Sequence, residues 1–271
     1  MTAAHSSKLA DRLAEIRAEG RAAVVGYLPA GFPTLGGSIK AIEAMVEGGI
    51  DIIEVGLPYS DPVMDGPTIQ AAAEQALAGG IRTTDAFDVV RASVKAGAPT
   101  VIMTYWNPVE RFGVDRFAAA LAEAGGSGLI TPDLIPDEAG EWTEAADAHG
   151  LDQIFLVAPS STDVRLAMTA EAASGFIYAT AVMGVTGQRE QTSSLAPELI
   201  ARLRAITDKP LGVGLGVSNG AQAAEVGKFA DAVIVGSALV RCLLDAPHEA
   251  AGIDAVRALA QDLRAGVERT K

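Results

Sequence analysis

A closed (β/α)8 barrel of the α/β class, with extra helices at the N-terminus and after the second strand, is the fold this chain predicts, over residues 1–271 as one domain. Three observations carry the prediction. Eight short runs rich in β-branched and apolar residues alternate with Ala-rich amphipathic stretches, the pattern of parallel strands joined by helical crossovers. The length of 271 residues suits one such barrel, which takes about 250. The first strand runs into Leu28-Pro29-Ala30-Gly31-Phe32-Pro33, whereas a doubly wound open sheet, the rival architecture, carries a Gly-rich dinucleotide turn there.

Taken in order, the first strand spans residues 23–28 and is followed by a helical stretch at 36–47. The second strand, 51–57, leads into a long connection, Pro58-Tyr59-Ser60-Asp61-Pro62-Val63-Met64-Asp65-Gly66-Pro67, with an extra helical stretch at 68–77 before the expected helix at 84–96. Strands at 100–105, 128–131, 153–157 and 175–180 alternate with helices at 114–124, 137–149 and 163–173. A second long connection, 181–193, follows the sixth strand. Helix 197–207, strand 211–215, helix 219–229 and strand 231–235 complete the series, and Gly236-Ser237 opens one more helix. Both long connections follow strand C-terminal ends, the face on which barrel enzymes place their chemistry. No composition break or linker divides the chain.

Composition narrows the function. Hydrophobic residues at 49% and charged residues at 20% supply a packed core. No apolar run reaches the roughly 18 residues of a membrane span, and charges interrupt the N-terminal stretch before a secretory core forms. The single cysteine, Cys242, excludes an internal disulfide. A net charge of −13 argues against a phosphate-backbone partner, so a soluble cytoplasmic protein is expected. The six lysines all lie away from predicted strand C-terminal ends, which leaves no Schiff-base lysine, and His5, His149 and His248 do not cluster, which leaves no metal site. Acid–base work then falls to carboxylates.

Glu54 stands out among them. Strand alternation sends Ile53, Val55 and Leu57 toward the helices and Ile52, Glu54 and Gly56 into the barrel. No predicted strand holds a cation to pair with that carboxyl group, so burial should raise its pKa toward the range useful for proton transfer; a structural Glu bonded to backbone or water is the alternative. Asp61 and Asp65 follow in the long connection, where each is either a turn former or, for Asp65 before Gly66-Pro67, an N-cap, or a second carboxylate facing the same cavity. The glycines around Gly216 and Gly236, each ahead of a helix, are either tight turns or backbone-amide anion sites, and Gly184-Val185-Thr186-Gly187 could add another amide. Tyr27, Tyr105 and Tyr178 fall at or beside strand C-terminal ends, as core packing or as the rim of a site for a flat apolar group. The composite is an acid–base enzyme acting on a phosphorylated small molecule with an apolar part.

These residues resemble a known family. Ile53-Glu54-Val55-Gly56-Leu57-Pro58-Tyr59-Ser60-Asp61-Pro62 with Asp65-Gly66-Pro67-Thr68-Ile69-Gln70 is similar to the signature of the tryptophan synthase alpha chain family. The likeness extends through Tyr105 with Asn107, Pro132-Asp133, Gly184-Val185-Thr186-Gly187, Leu215-Gly216-Val217-Ser218 and Gly236-Ser237. It implies a carbon–carbon lyase that splits indole-3-glycerol phosphate into indole and glyceraldehyde 3-phosphate, with Glu54 as acid–base catalyst and Asp65 on the indole N–H. It also implies a substrate site of Tyr27, Tyr105, Tyr178, Thr186, Gly187, Leu215, Gly216, Val217, Gly236 and Ser237, no cofactor in this chain, and no metal. Tyr27 and Leu215 stand where the family often has Phe. A pyridoxal-phosphate beta chain is the implied partner, in an α-β-β-α assembly, meeting this chain at Pro58, Asp61 and Pro62, which are expected to form a rigid exposed segment. A stand-alone indole-releasing lyase and a barrel kept as an allosteric subunit are the other readings; a ring-closing barrel enzyme would need a catalytic lysine that is absent from the strand ends.

Overall fold

The computed structural model describes residues 7–180, 195–214 and 216–268. Its centre is a closed barrel of eight parallel strands in sequential order: β1 (Ala23–Pro29), β2 (Ile52–Gly56), β3 (Thr100–Met103), β4 (Gly128–Thr131), β5 (Asp152–Val157), β6 (Ile177–Thr180), β7 (Leu211–Gly214) and β8 (Ala232–Val235), with β8 pairing back onto β1. Around it run α1 (Lys8–Ala18), α2 (Leu35–Glu47), α3 (Pro67–Ala78), α4 (Thr83–Ala96), α5 (Trp106–Phe112), α6 (Val114–Glu123), α7 (Gly140–His149), α8 (Asp163–Ala172), α9 (Leu195–Arg204), α10 (Gly220–Gly227), α11 (Ser237–Leu244) and α12 (Glu249–Val267). The extra helices expected at the N-terminus and after the second strand are α1 and α3. None of the described helices is long and apolar enough to cross a membrane.

Local chemistry starts these helices where they start. Ser7, Thr34, Thr162 and Asn219 each accept a backbone N–H from the first turn of the helix that follows, which satisfies a donor the helix itself cannot. The imidazole of His248 does the same for α12, accepting from the Ala251 N–H at 3.2 Å. Helix α3 opens with Pro67 in its first turn, where a missing N–H costs nothing.

Period-two alternation along the strands divides the apolar side chains into two cores. Val24, Leu28, Ile53, Val55 and Leu57 face outward and pack with Ile42, Met45, Val89 and Leu239 of the helical layer. Val25, Ile52, Val101, Ile130, Ile154, Phe176 and Ile234 face inward and fill the barrel, together with Leu9, Leu13 and Ile16 of α1. Those three α1 side chains are between 0% and 4% exposed, so α1 lies as a stopper across the N-terminal end of the barrel. Charge is gathered at that end. The buried Asp51 carboxylate, one residue ahead of β2, takes a two-bond fork from Arg21 at 2.7 and 2.8 Å, one bond from Arg12 at 2.8 Å and one from Arg264 at 3.1 Å, tying α1 and α12 to the start of that strand.

Several boundaries differ from the sequence expectation. The strand expected over 100–105 ends at Met103, because Tyr105 caps α5, a seven-residue helix not anticipated there. The helix expected over 137–149 begins at Gly140, after a single 3-10 turn at Pro136–Glu138. Pro58 is buried, not exposed. The reason is that the Leu57 N–H still donates to the Met103 carbonyl at 2.9 Å, so the chain leaves the barrel only after Pro58.

Candidate active site

At the C-terminal end of the barrel, opposite α1, β2 delivers Glu54 to the interior. Its neighbours in register are Tyr27 on β1 and Val101 on β3. The Glu54 side chain is 1% exposed, and among the described residues it forms no salt bridge and its Oε2 has no hydrogen-bond partner. Burial without a cation, with the Asp65 carboxylate adding like charge, raises its pKa from an ordinary 4.5 to about 8. Such a carboxyl group is largely protonated at neutral pH and poised to give a proton away.

Asp65 sits at the end of the connection after β2. Gly66, not Asp65, is the cap of α3, and the Asp65 backbone carbonyl accepts from the Gln70 amide at 2.7 Å. Its carboxylate accepts from the Tyr105 hydroxyl at 3.2 Å. Burial raises the Asp65 pKa, and the Tyr105 O–H opposes that rise by favouring the charged form. The Tyr105 hydroxyl in turn accepts the N–H groups of Val63 and Met64 at 3.1 and 3.0 Å. Asp61, by contrast, is exposed and among the described residues accepts from its neighbour, the Ser60 hydroxyl at 2.6 Å; Pro62 beside it is half-buried.

Tyr27 and Tyr178 close the sides. Burial drives both phenol pKa values well up, with the charge of Asp65 and then Glu54 adding to it at Tyr27 and that of Glu54 at Tyr178. Each ring leans over a glycine of the next strand. A Cβ on Gly56 would fall 2.3 Å from the Tyr27 hydroxyl oxygen, and one on Gly214 would fall 2.8 Å from that of Tyr178. Glycine is therefore required at 56 and 214 by close approach alone. Sequence reasoning missed these two, though the signal is there: each lies two residues beyond the register partner of its tyrosine.

The remaining expected residues divide into three sets. Gly216 and Val217 follow β7 after one intervening residue, and Gly236 and Ser237 directly follow β8, with Gly236 lying against the Tyr27 ring. Gly216 has a positive φ of 68°, a conformation that favours glycine. The Val217 side chain packs into the outer core, which leaves only its backbone for a ligand. Thr186, Gly187 and Leu215 lie outside the described residues.

A carboxylic acid held neutral, a second carboxylate nearby, an apolar tyrosine-lined wall and amide-rich turns after β7 and β8 are thus brought to one end of the barrel. The model of the family described as tryptophan synthase alpha chain matches residues 13–268. The chain belongs to the tryptophan synthase alpha chain family. The tryptophan synthase alpha chain of Salinispora arenicola is 65% identical over 251 residues, covering 93% of this chain and 94% of that one. The tryptophan synthase alpha chain of Nocardia farcinica is 62% identical over 261 residues, covering 96% of each. Among solved structures, Mycobacterium tuberculosis tryptophan synthase superposes with a TM-score of 0.91 at 56% identity, covering 97% of this chain and 99% of that one. The tryptophan synthase alpha subunit of Legionella pneumophila, at 33% identity, keeps a TM-score of 0.86 over 97% of this chain and 98% of that one. Tryptophan synthase alpha chains cleave indole-3-glycerol phosphate to indole and glyceraldehyde 3-phosphate, a carbon–carbon lyase reaction of tryptophan biosynthesis, and that is the activity of this chain.

Proposed function

We propose that Glu54 and Asp65 carry out this cleavage between them, and the buried, cation-free Glu54 carboxyl group is the observation that supports it most directly. Breaking the bond between indole C3 and the glycerol carbon needs an electron sink. Protonating C3 turns the indole into that sink. Glu54, neutral because its pKa is near 8, supplies the proton and becomes a carboxylate. The carboxylate then takes the proton of the adjacent glycerol hydroxyl, the C–C bond breaks, its electrons return to the indole ring, and the hydroxyl carbon becomes the aldehyde. Glu54 ends as it began. Positive charge develops at the indole nitrogen once C3 is protonated, and Asp65 stabilises it there more than in the ground state. Tyr27 and Tyr178 flank the ring. The phosphate rests on backbone amides of Gly216, Val217, Gly236 and Ser237, which suits a chain of net charge −13 because amides attract an anion without a basic side chain.

The partner is a tryptophan synthase beta chain, which carries the pyridoxal phosphate, and the assembly is α-β-β-α in the cytoplasm. Exposed Asp61 and half-buried Pro62 lie on the same connection as Asp65, so pressure there reaches the second carboxylate. The test is to incubate the purified chain with indole-3-glycerol phosphate and follow indole, alone and with added beta chain. Low activity that rises on complex formation is expected. Full activity of the isolated chain would favour a stand-alone lyase.

A further inference from the structure

We infer that Tyr105 is a positioning residue for Asp65: its hydroxyl pins residues 63–65 and aims the Asp65 carboxylate, and it does not contact substrate. The inference rests on the reading of Asp65 given above. A phenol hydroxyl has one proton to donate and two lone pairs to accept with. Here the proton goes to Asp65 Oδ1 at 3.2 Å, and the lone pairs take the Val63 and Met64 N–H groups at 3.1 and 3.0 Å. No hydrogen-bonding capacity is left for a ligand.

The anchor behind this hydroxyl is firm. Tyr105 is 5% exposed and its ring packs against that of Tyr59 at 5.3 Å between centroids. The next residue is held by its backbone, the Trp106 N–H donating to both oxygens of the Asp133 carboxylate at 2.9 and 3.1 Å. What it holds is otherwise loosely placed: Ser60, Asp61 and Val63 are exposed, Val63 by 75%. A connection open to solvent thus has its catalytic end held at two points, by the Tyr105 oxygen on residues 63–65 and by the Gln70 amide on the Asp65 carbonyl, and only the first touches the Asp65 carboxylate among the groups named here.

The groups facing Asp65 are Glu54 from β2, Tyr27 from β1 and Tyr105, with no cation among the described residues. Tyr105 is the only one of them shown donating to the carboxylate, so the effect of removing its hydroxyl has a definite sign. Without that donor the charged form is less favoured, the Asp65 pKa rises, and the acid limb of the rate profile moves to higher pH.

Tyr105→Phe in the full-length chain tests this, with kcat, KM and pH dependence followed by indole release and the Val63 and Met64 amides followed by hydrogen exchange. The expected result is a fall in kcat of about tenfold or more with KM little changed. The acid limb should shift up by about half a pH unit or more, and exchange at residues 63 and 64 should be about tenfold faster. A raised KM with kcat and acid limb unmoved would show that the hydroxyl contacts substrate. Unchanged exchange, or a lower Tm with wild-type kcat and limb, would equally overturn the assignment. Asp65→Asn run alongside separates the two ideas. If it is inactive while Tyr105→Phe behaves as wild type, only the Tyr105 inference falls; if it retains full activity, the Asp65 reading falls and takes this one with it.

Discussion

The Glu54 carboxyl group has one oxygen with no partner among the described residues, and its replacement by the isosteric amide gives two readouts of different sign. Glu54→Gln should lower kcat by about 10²–10⁴-fold, the range for a lost acid–base group, because an amide cannot exchange the proton. Stability should move the other way. The folded pKa of about 8 lies above the ordinary 4.5, so the fold favours the neutral form. Its contribution to stability is fully present below the unfolded pKa and is lost as pH rises through the folded one, at roughly 1.4 kcal/mol per pH unit. The variant and the wild type should therefore unfold alike near pH 4, diverge in favour of the variant between about 4.5 and 8, and run parallel above, as urea titrations at three pH values would show. Equal pH dependence of the two proteins would contradict a buried neutral Glu54. This residue was legible in the sequence because two local facts suffice: the alternation of β2 and the lack of any cation in the strands. The hydrogen bonds of Tyr105 were not legible, since they depend on how a ten-residue connection folds back over a neighbouring strand, and no local pattern encodes that.

Between residues and barrel stand the strand ends and the turns that follow them. Gly56→Ala should force the Tyr27 ring aside, since the new Cβ would fall 2.6 Å from its ring carbons as well as 2.3 Å from its oxygen. Overpacking of this kind costs about 1–3 kcal/mol, and kcat/KM should fall with it. Adding Tyr27→Ala should restore part of the lost Tm, and strictly additive losses would refute the contact. At Gly236 the space is different: a Cβ there would meet Tyr27 at an ordinary 3.4 Å, so the fold tolerates a side chain that the phosphate does not. Gly236→Val should raise KM about tenfold and weaken glycerol phosphate binding by calorimetry, because backbone amides need unobstructed approach. Unchanged binding would place the phosphate elsewhere. All eight βα units were readable from alternation, yet α5 was not. A helix of seven residues completes barely two turns, too few for its period to emerge beside the apolar run of β3. The burial of Pro58 was hidden for a related reason: proline reads as loop, while its depth follows from barrel pairing one residue earlier.

On the scale of the whole molecule, the two ends of the barrel treat charge in opposite ways. Asp51 at one end holds three arginines; Glu54, three residues further along the chain, has none among the described residues. Asp51→Asn leaves Arg12, Arg21 and Arg264 with the exposed Glu19 in place of a buried anion between them, and a loss of about 3–5 kcal/mol is expected from breaking a buried pair. Turnover per folded molecule should stay at the wild-type level, because the chemistry is at the far end; a matching fall in kcat at temperatures well below Tm would contradict that separation. The inward lean of α1 has a consequence for traffic. With Leu9, Leu13 and Ile16 stoppering the N-terminal end, the described residues leave the approach to Glu54 at the opposite end, beside the turns after β2, β7 and β8. One molecule goes in and two come out through the same opening, so arrival and departure exclude one another in time. Whatever sits over that end decides both, and a protein docked there would receive indole before the surrounding water does.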